Sequence, residues 1–210
     1  MAASQQTEED NYIKLFKLVT GVGTGALRES FDRFFPSSSL VADLKKNEIK
    51  LKTLNSERRL TGQQMSILFP TTGSPTSRDF DVTLMICLIR NLTSVSPPAN
   101  GFDKLPMQSE TSVVADIARI KYYRNMLAHA DTNRISEPDF QSYWKDLTNA
   151  IVRLGGQHYQ ALCDEIKQLT LVGRNELTIL SQQIEVFRRL FLTEIEELQG
   201  KVDSLEKQQG

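Results

Sequence analysis

Apolar residues in this chain recur at steps of three and four, the spacing of a helix buried along one face, and no segment alternates convincingly as a strand would. Ile13, Phe16, Leu27, Phe31 and Phe34 predict a helix from Tyr12 to Phe35. Gly21, Gly23 and Gly25 predict that its middle is loosened or kinked, or that two helices pack closely there. No strand precedes these glycines and no Gly-Lys-Ser/Thr follows, so they are not a phosphate loop. After the break at Pro36-Ser-Ser-Ser39, Ser39 is placed to cap a second helix through Leu40, Leu44, Ile49 and Leu51. Thr61-Gly-Gln-Gln64 reads as a capping box ahead of Met65, Ile67, Leu68 and Phe69, with Pro70 ending the helix. Asp79 then precedes an apolar helical run from Val82 to Leu92, which it is expected to cap.

Ser94 to Pro106, rich in proline with Asn100 and Gly101, reads as a long surface loop that could move. The next helix is expected to begin near Ser109 or Glu110 and to carry Lys121 to His129. Ser136-Glu-Pro-Asp139 starts another helix, with a capping serine, an acidic residue three later and proline in the first turn. Phe140, Trp144, Leu147, Ile151 and Leu154 form its stripe, and Gly155-Gly156 stops it. A further helix follows through Leu162, Ile166 and Leu169.

The C-terminal stripe is longer. Leu180, Ile184, Phe187, Phe191, Ile195, Leu198, Val202 and Leu205 follow a heptad-like spacing with one extra four-residue step, as in a stutter. This predicts a coiled coil of about three to four heptads through which chains associate, or one amphipathic helix packed on its own domain. The expected organisation is a disordered tail over 1–8, a helical domain over 9–172 and a coiled-coil helix over 173–210. The fold class is all-α.

Composition changes this picture little. The chain is 40% hydrophobic and 24% charged with a net charge of −1, which argues against a generally basic nucleic-acid binder. Lys45, Lys46, Lys50, Lys52, Arg58 and Arg59 form a local basic region, diluted by Asp43, Glu48 and Glu57. It is either a solvated face or a surface for phosphates. Cys87 and Cys163 lie in apolar, helix-like surroundings and read as reduced core residues of an intracellular protein. The acidic N-terminus lacks the features of a signal peptide, and no apolar run reaches the roughly 20 residues of a membrane span. A cytoplasmic protein without membrane attachment is therefore expected, and Asn91-Leu92-Thr93 carries little weight as a glycosylation site.

Candidate chemistry concentrates in Lys121-Tyr-Tyr-Arg-Asn-Met-Leu-Ala-His129, which holds one of the two histidines. On an ideal helix Val113, Ile117, Ile120 and Leu127 share a face, and Arg124 falls at its centre. A charge in an apolar stripe needs a partner. Asp116 or Asp146 could supply it, or Arg124 could be held for a phosphate. Asn125 and His129, four apart, share another face. His129 points about 140° away from Arg124, so the set cannot easily converge on one undistorted helix. Either the helix unwinds near Ala128 or a second copy completes the site.

Arg124-Asn125-x-x-x-His129 resembles the arginine, polar residue and spaced histidine of HEPN domains. The resemblance extends over roughly residues 8–160, through Asp81-Val-Thr-Leu, Ala115-Asp-Ile-Ala-Arg-Ile-Lys-Tyr-Tyr-Arg-Asn and Tyr143-Trp-Lys-Asp-Leu-Thr-Asn-Ala-Ile-Val-Arg-Leu-Gly-Gly156. Those blocks resemble the branch similar to the DAZ-interacting zinc-finger E3 ubiquitin ligase. Relatives in this branch often carry the histidine one residue later. The resemblance implies a HEPN-like helical bundle, usually dimeric, that in many members acts on RNA or binds nucleotides. Were it catalytic, the reaction would be metal-independent RNA cleavage across a dimer, with no cofactor and no metal. Arg124 would hold the scissile phosphate, His129 would be general base or acid toward the ribose 2′-hydroxyl, and Asn125 would orient them. The other expectation is a non-catalytic homodimeric scaffold within a larger ubiquitin-ligase-like or innate-signalling protein, meeting protein partners through its C-terminal helix.

Overall fold

The structure is a computed structural model, and it describes residues 2–169, 182–186 and 188–189. Among these, every regular element is helical: α1 (Ala2–Lys17), a π-helical segment (Leu18–Gly23), α2 (Thr24–Phe34), α3 (Leu40–Lys46), α4 (Glu48–Ser56), α5 (Gly62–Leu68), a 3-10 turn (Ser77–Asp79), α6 (Val82–Leu92), α7 (Val113–Ala128), α8 (Glu137–Gly155) and α9 (His158–Gln168). They fall into two compact units. The first takes residues 2–30 and the described residues from 96 to 188; the second takes 31–95 and residue 189.

In the first unit α7 and α1 both pack on α8. The core forms where their stripes meet: Leu15, Leu18, Ile117, Ile120, Leu147 and Ile151 are all buried to 1% exposure or less. The glycines loosen the first helix as their placement suggests, and the loosening takes the form of a π-helical segment. At Gly23 a Cβ would stand 3.7 Å from Ile151 Cδ1 and 3.9 Å from Ile120 Cδ1, so the missing side chain lets this segment lie close to α7 and α8. α1 spans Ala2–Lys17 and meets a distant corner through Glu8 and Glu9: Ile135 N–H donates to Glu8 O at 3.0 Å, and Arg134 meets Glu9 at 3.0 Å.

α8 starts and stops as its sequence predicts. Ser136 accepts from Asp139 N, and Gly156 takes a left-handed φ of 102° just past its end. α7 begins later than expected, at Val113, because Ser112 and not Ser109 caps it, accepting from Ala115 N at 3.2 Å. Glu110 serves the preceding loop instead. Its carboxylate accepts from Ala99 N at 2.9 Å and Met107 N at 3.0 Å and so clasps that loop closed. Phe102, 4% exposed, anchors the same loop, which is therefore pinned to the fold.

The second unit is centred on Phe31, which is fully buried, with Phe35 at 4.9 Å and Phe80 edge-on at 5.7 Å between ring centroids. The capping box at Thr61 forms as its sequence predicts, with both reciprocal bonds to Gln64 present. Two expectations are corrected here. The helix expected from Ser39 is two, α3 and α4, because Asn47 Nδ2 donates to Asp43 O at 2.8 Å and ends α3. The cap of α6 is Asp81, accepting from Leu84 N at 2.6 Å; Asp79 bonds Thr76 in the preceding turn. In the C-terminal stripe Ile184 is buried at 1% exposure. The rest of the expected coiled coil over 173–210 lies almost wholly outside the described residues.

Candidate functional site

α7 is regular up to its C-cap at His129, whose N–H donates to Asn125 O at 3.0 Å. Arg124 is 8% exposed and belongs to the buried face, although Val113, expected beside it in the stripe, is 42% exposed. His129 is exposed and Asn125 is half-buried. With the helix wound normally, the five-residue step from Arg124 keeps the imidazole about 140° away from the guanidinium. A single chain therefore presents Asn125 and His129 on one side of the helix and Arg124 on another. The Asn125 Oδ1 is buried and receives no hydrogen bond from any described residue. It is an acceptor still owed a donor.

The last turn of α7 ends in carbonyls that a helix leaves unpaired. Tyr12 Oη donates to Leu127 O at 2.8 Å. Burial pushes the Tyr12 phenol up, partly offset by the positive charge of Arg188, so it stays a donor. Arg188 Nε donates to Ala128 O at 3.1 Å, Nη1 to Asn133 Oδ1 at 3.1 Å, and Nη2 to Ala130 O. A cation at a helix C-terminus is favourable as well as hydrogen-bonded. Arg188 lies between Ile184 and Phe191 of the C-terminal stripe in the sequence, and here it clamps the corner carrying His129. Arg188→Ala is expected to destabilise that corner by about 1–2 kcal/mol and to speed amide exchange across residues 129–134. Unchanged exchange there would mean the guanidinium does not hold the corner.

Sequence reasoning named Asp116 and Asp146 as partners for a buried arginine but missed which arginines they hold. Arg119 and Asp116 are each 1% exposed and bonded at 3.1 Å. Arg119 Nε reaches Asp146 Oδ1 at 3.1 Å, while its Nη1 and Nη2 donate to Glu110 O at 2.6 Å and Met107 O at 2.5 Å. Arg153 grips Asp116 with two bonds, 2.8 and 2.6 Å. Tyr123 Oη donates to Asp146 Oδ2 at 3.0 Å. Burial, and then the Asp146 charge, hold that phenol well above its ordinary value, so it remains protonated. Asp116 and Asp146, the carboxylates considered for Arg124, are thus engaged by Arg119 and Arg153. Charges matched in number and saturated with hydrogen bonds make a fastening between α7, α8 and the 107–110 loop. The available signal was the pair Asp116 and Arg119, embedded among Ala115, Ile117, Ala118 and Ile120.

Both cysteines are free thiols. Burial raises the pKa of each, as suits structural cysteines. Among the described residues no helix is long and apolar enough to cross a membrane.

An all-α bundle whose buried helix ends in Arg-Asn-x-x-x-His has the form of a HEPN domain. Residues 37–176 match the DZIP3/hRUL138-like HEPN family, and this chain belongs to it. It is 30% identical over 149 residues to the E3 ubiquitin-protein ligase DZIP3 of Mus musculus, and 29% identical over the same length to that of Homo sapiens. Each match covers 69% of this chain and 12% of the relative. No solved structure matches the chain significantly.

Proposed function

We propose that this chain is a non-catalytic, dimerising HEPN interaction module, the scaffold part of a larger ubiquitin-ligase-like or innate-signalling protein. The observation that carries this reading is the split of its motif. Arg124 is 8% exposed on the packing face of α7, whereas His129 is exposed at the C-cap of the same regular helix. A phosphate would have to reach a buried guanidinium and an imidazole turned away from it. The relatives, named as ubiquitin ligases, support the same reading, since the chain corresponds to 12% of their length and fits a module within such a protein.

The test uses the purified chain. Light scattering at micromolar concentration is expected to give the mass of a dimer. Single-stranded RNA incubated with the chain and a chelator is expected to stay intact, with Arg124→Ala and His129→Ala indistinguishable from the parent. A monomer at that concentration would refute the dimerising scaffold. Cleavage by the parent that both substitutions abolish would instead establish a composite ribonuclease.

A further inference from the structure

The basic region of the second unit borders an apolar groove that neither the HEPN motif nor the buried ion cluster uses. Leu44 and Leu68, each 1% exposed, form its floor, and Val41, Phe69, Pro70 and Pro75 rise around them. Gly73, with a left-handed φ of 79°, turns the chain along one wall. The groove encloses about 250 Å³. That is below the roughly 300–1,000 Å³ of small-molecule pockets and suits one or two inserted side chains. Val41 at its edge is 47% exposed, which leaves its side chain available to a bound segment.

The charges around it have a definite sign. Glu48 on the rim is bound by Lys52 at 2.7 Å, while Lys45 and Lys46 are exposed and form no ion pair among the described residues. The groove therefore has an apolar floor, and beyond the Glu48–Lys52 pair Lys45 and Lys46 leave a net positive charge beside it. We infer that it docks a short acidic segment of a partner protein, anchored by one or two aliphatic or aromatic side chains, with the acidic residues meeting Lys45 and Lys46. A peptide fits better than RNA, because the floor of Leu44 and Leu68 is apolar and the space admits one or two inserted side chains, which a sugar-phosphate backbone does not offer. It fits better than a membrane surface, because the apolar area is mainly concave.

Fluorescence polarisation with the full chain tests this. The probe is a labelled seven-residue peptide of glutamates around a central Leu-Phe pair. Saturable binding is expected, weakened about tenfold by Val41→Asp, which adds a repelling charge and removes apolar contact. Lys45→Glu with Lys46→Glu should weaken it to a similar degree. Both variants change exposed positions, and unaltered circular dichroism checks that they fold. The peptide with lysines for glutamates, and the one with serines for Leu-Phe, should bind at least about tenfold more weakly.

No binding by the acidic peptide, or equal binding by the lysine version, overturns the proposal. So does binding that both protein variants leave unchanged. Capture by phosphatidylserine-containing vesicles without peptide binding would reassign the surface to membranes. Loss of self-association in Val41→Asp would reassign it to a second copy. The RNA assay and its Arg124 and His129 variants address a different stretch, so failure of the peptide leaves the non-catalytic reading standing.

Discussion

Arg119→Ala is expected to lower the free energy of unfolding by about 3–5 kcal/mol, the cost of breaking a buried ion pair from one side. The guanidinium is 1% exposed and holds Asp116, Asp146 and the carbonyls of Glu110 and Met107. Its removal strips one charge from a set in which two arginines balance two carboxylates. Arg153 would remain on Asp116, but Asp146 and both loop carbonyls would lose a donor, and water could replace it only in part, at the 19% exposed Asp146 side chain. A cavity about the size of the lost side chain adds to the cost. Arg153→Ala should cost less, because its side chain is 35% exposed and water can replace part of what it gave. Urea unfolding followed by circular dichroism measures both. A loss below about 1 kcal/mol for Arg119→Ala would show that the cluster contributes little to stability and leave its conformational role as the remaining account.

The second large effect is expected in the other unit. Phe31→Ala should cost about 3–5 kcal/mol, as truncations of fully buried aromatics do. The ring has no exposed surface, and Phe35 and Phe80 both lean on it. The lost burial and the cavity act together, and neighbours held by capped helices can collapse only partly into the space. Asp81 and Thr61 fix the starts of α6 and α5 through their side-chain caps, which restricts that relaxation. Hydrogen exchange over residues 31–95 should rise sharply, whereas Phe31→Leu, which keeps most of the volume, should cost markedly less. Equal effects of the two substitutions would show that ring packing is not what Phe31 supplies.

Much of the fold was legible because helix periodicity and capping are local. The stripe Phe140, Trp144, Leu147, Ile151 and Leu154 is buried throughout, and Ser136 and Gly156 bound its helix where their side chains and backbone freedom require. Misreadings arose where two residues competed for one role. Asp79 and Asp81 are both able caps, and only Asp81 directly precedes the first turn of α6. Asn47 looks acceptable inside a helix until its side chain is seen bonding back to Asp43 O. The long loop looked free because proline and glycine content does not reveal that Phe102 is buried or that Glu110 clasps the loop through Ala99 N and Met107 N.

For the candidate site, the sequence by itself determined that Arg124 and His129 point in different directions, since the angle follows from five residues of one helix. It also determined that Arg124 lies on the packing face. Only the tertiary structure decided which charges pair. Arg119 and Asp146 stand 27 residues apart, Arg153 and Asp116 37 apart, and Arg188 reaches a carbonyl 60 residues earlier. The energy of a buried charge depends on what packing brings within about 3 Å of it, and a single helix, however regular, carries no record of its neighbours.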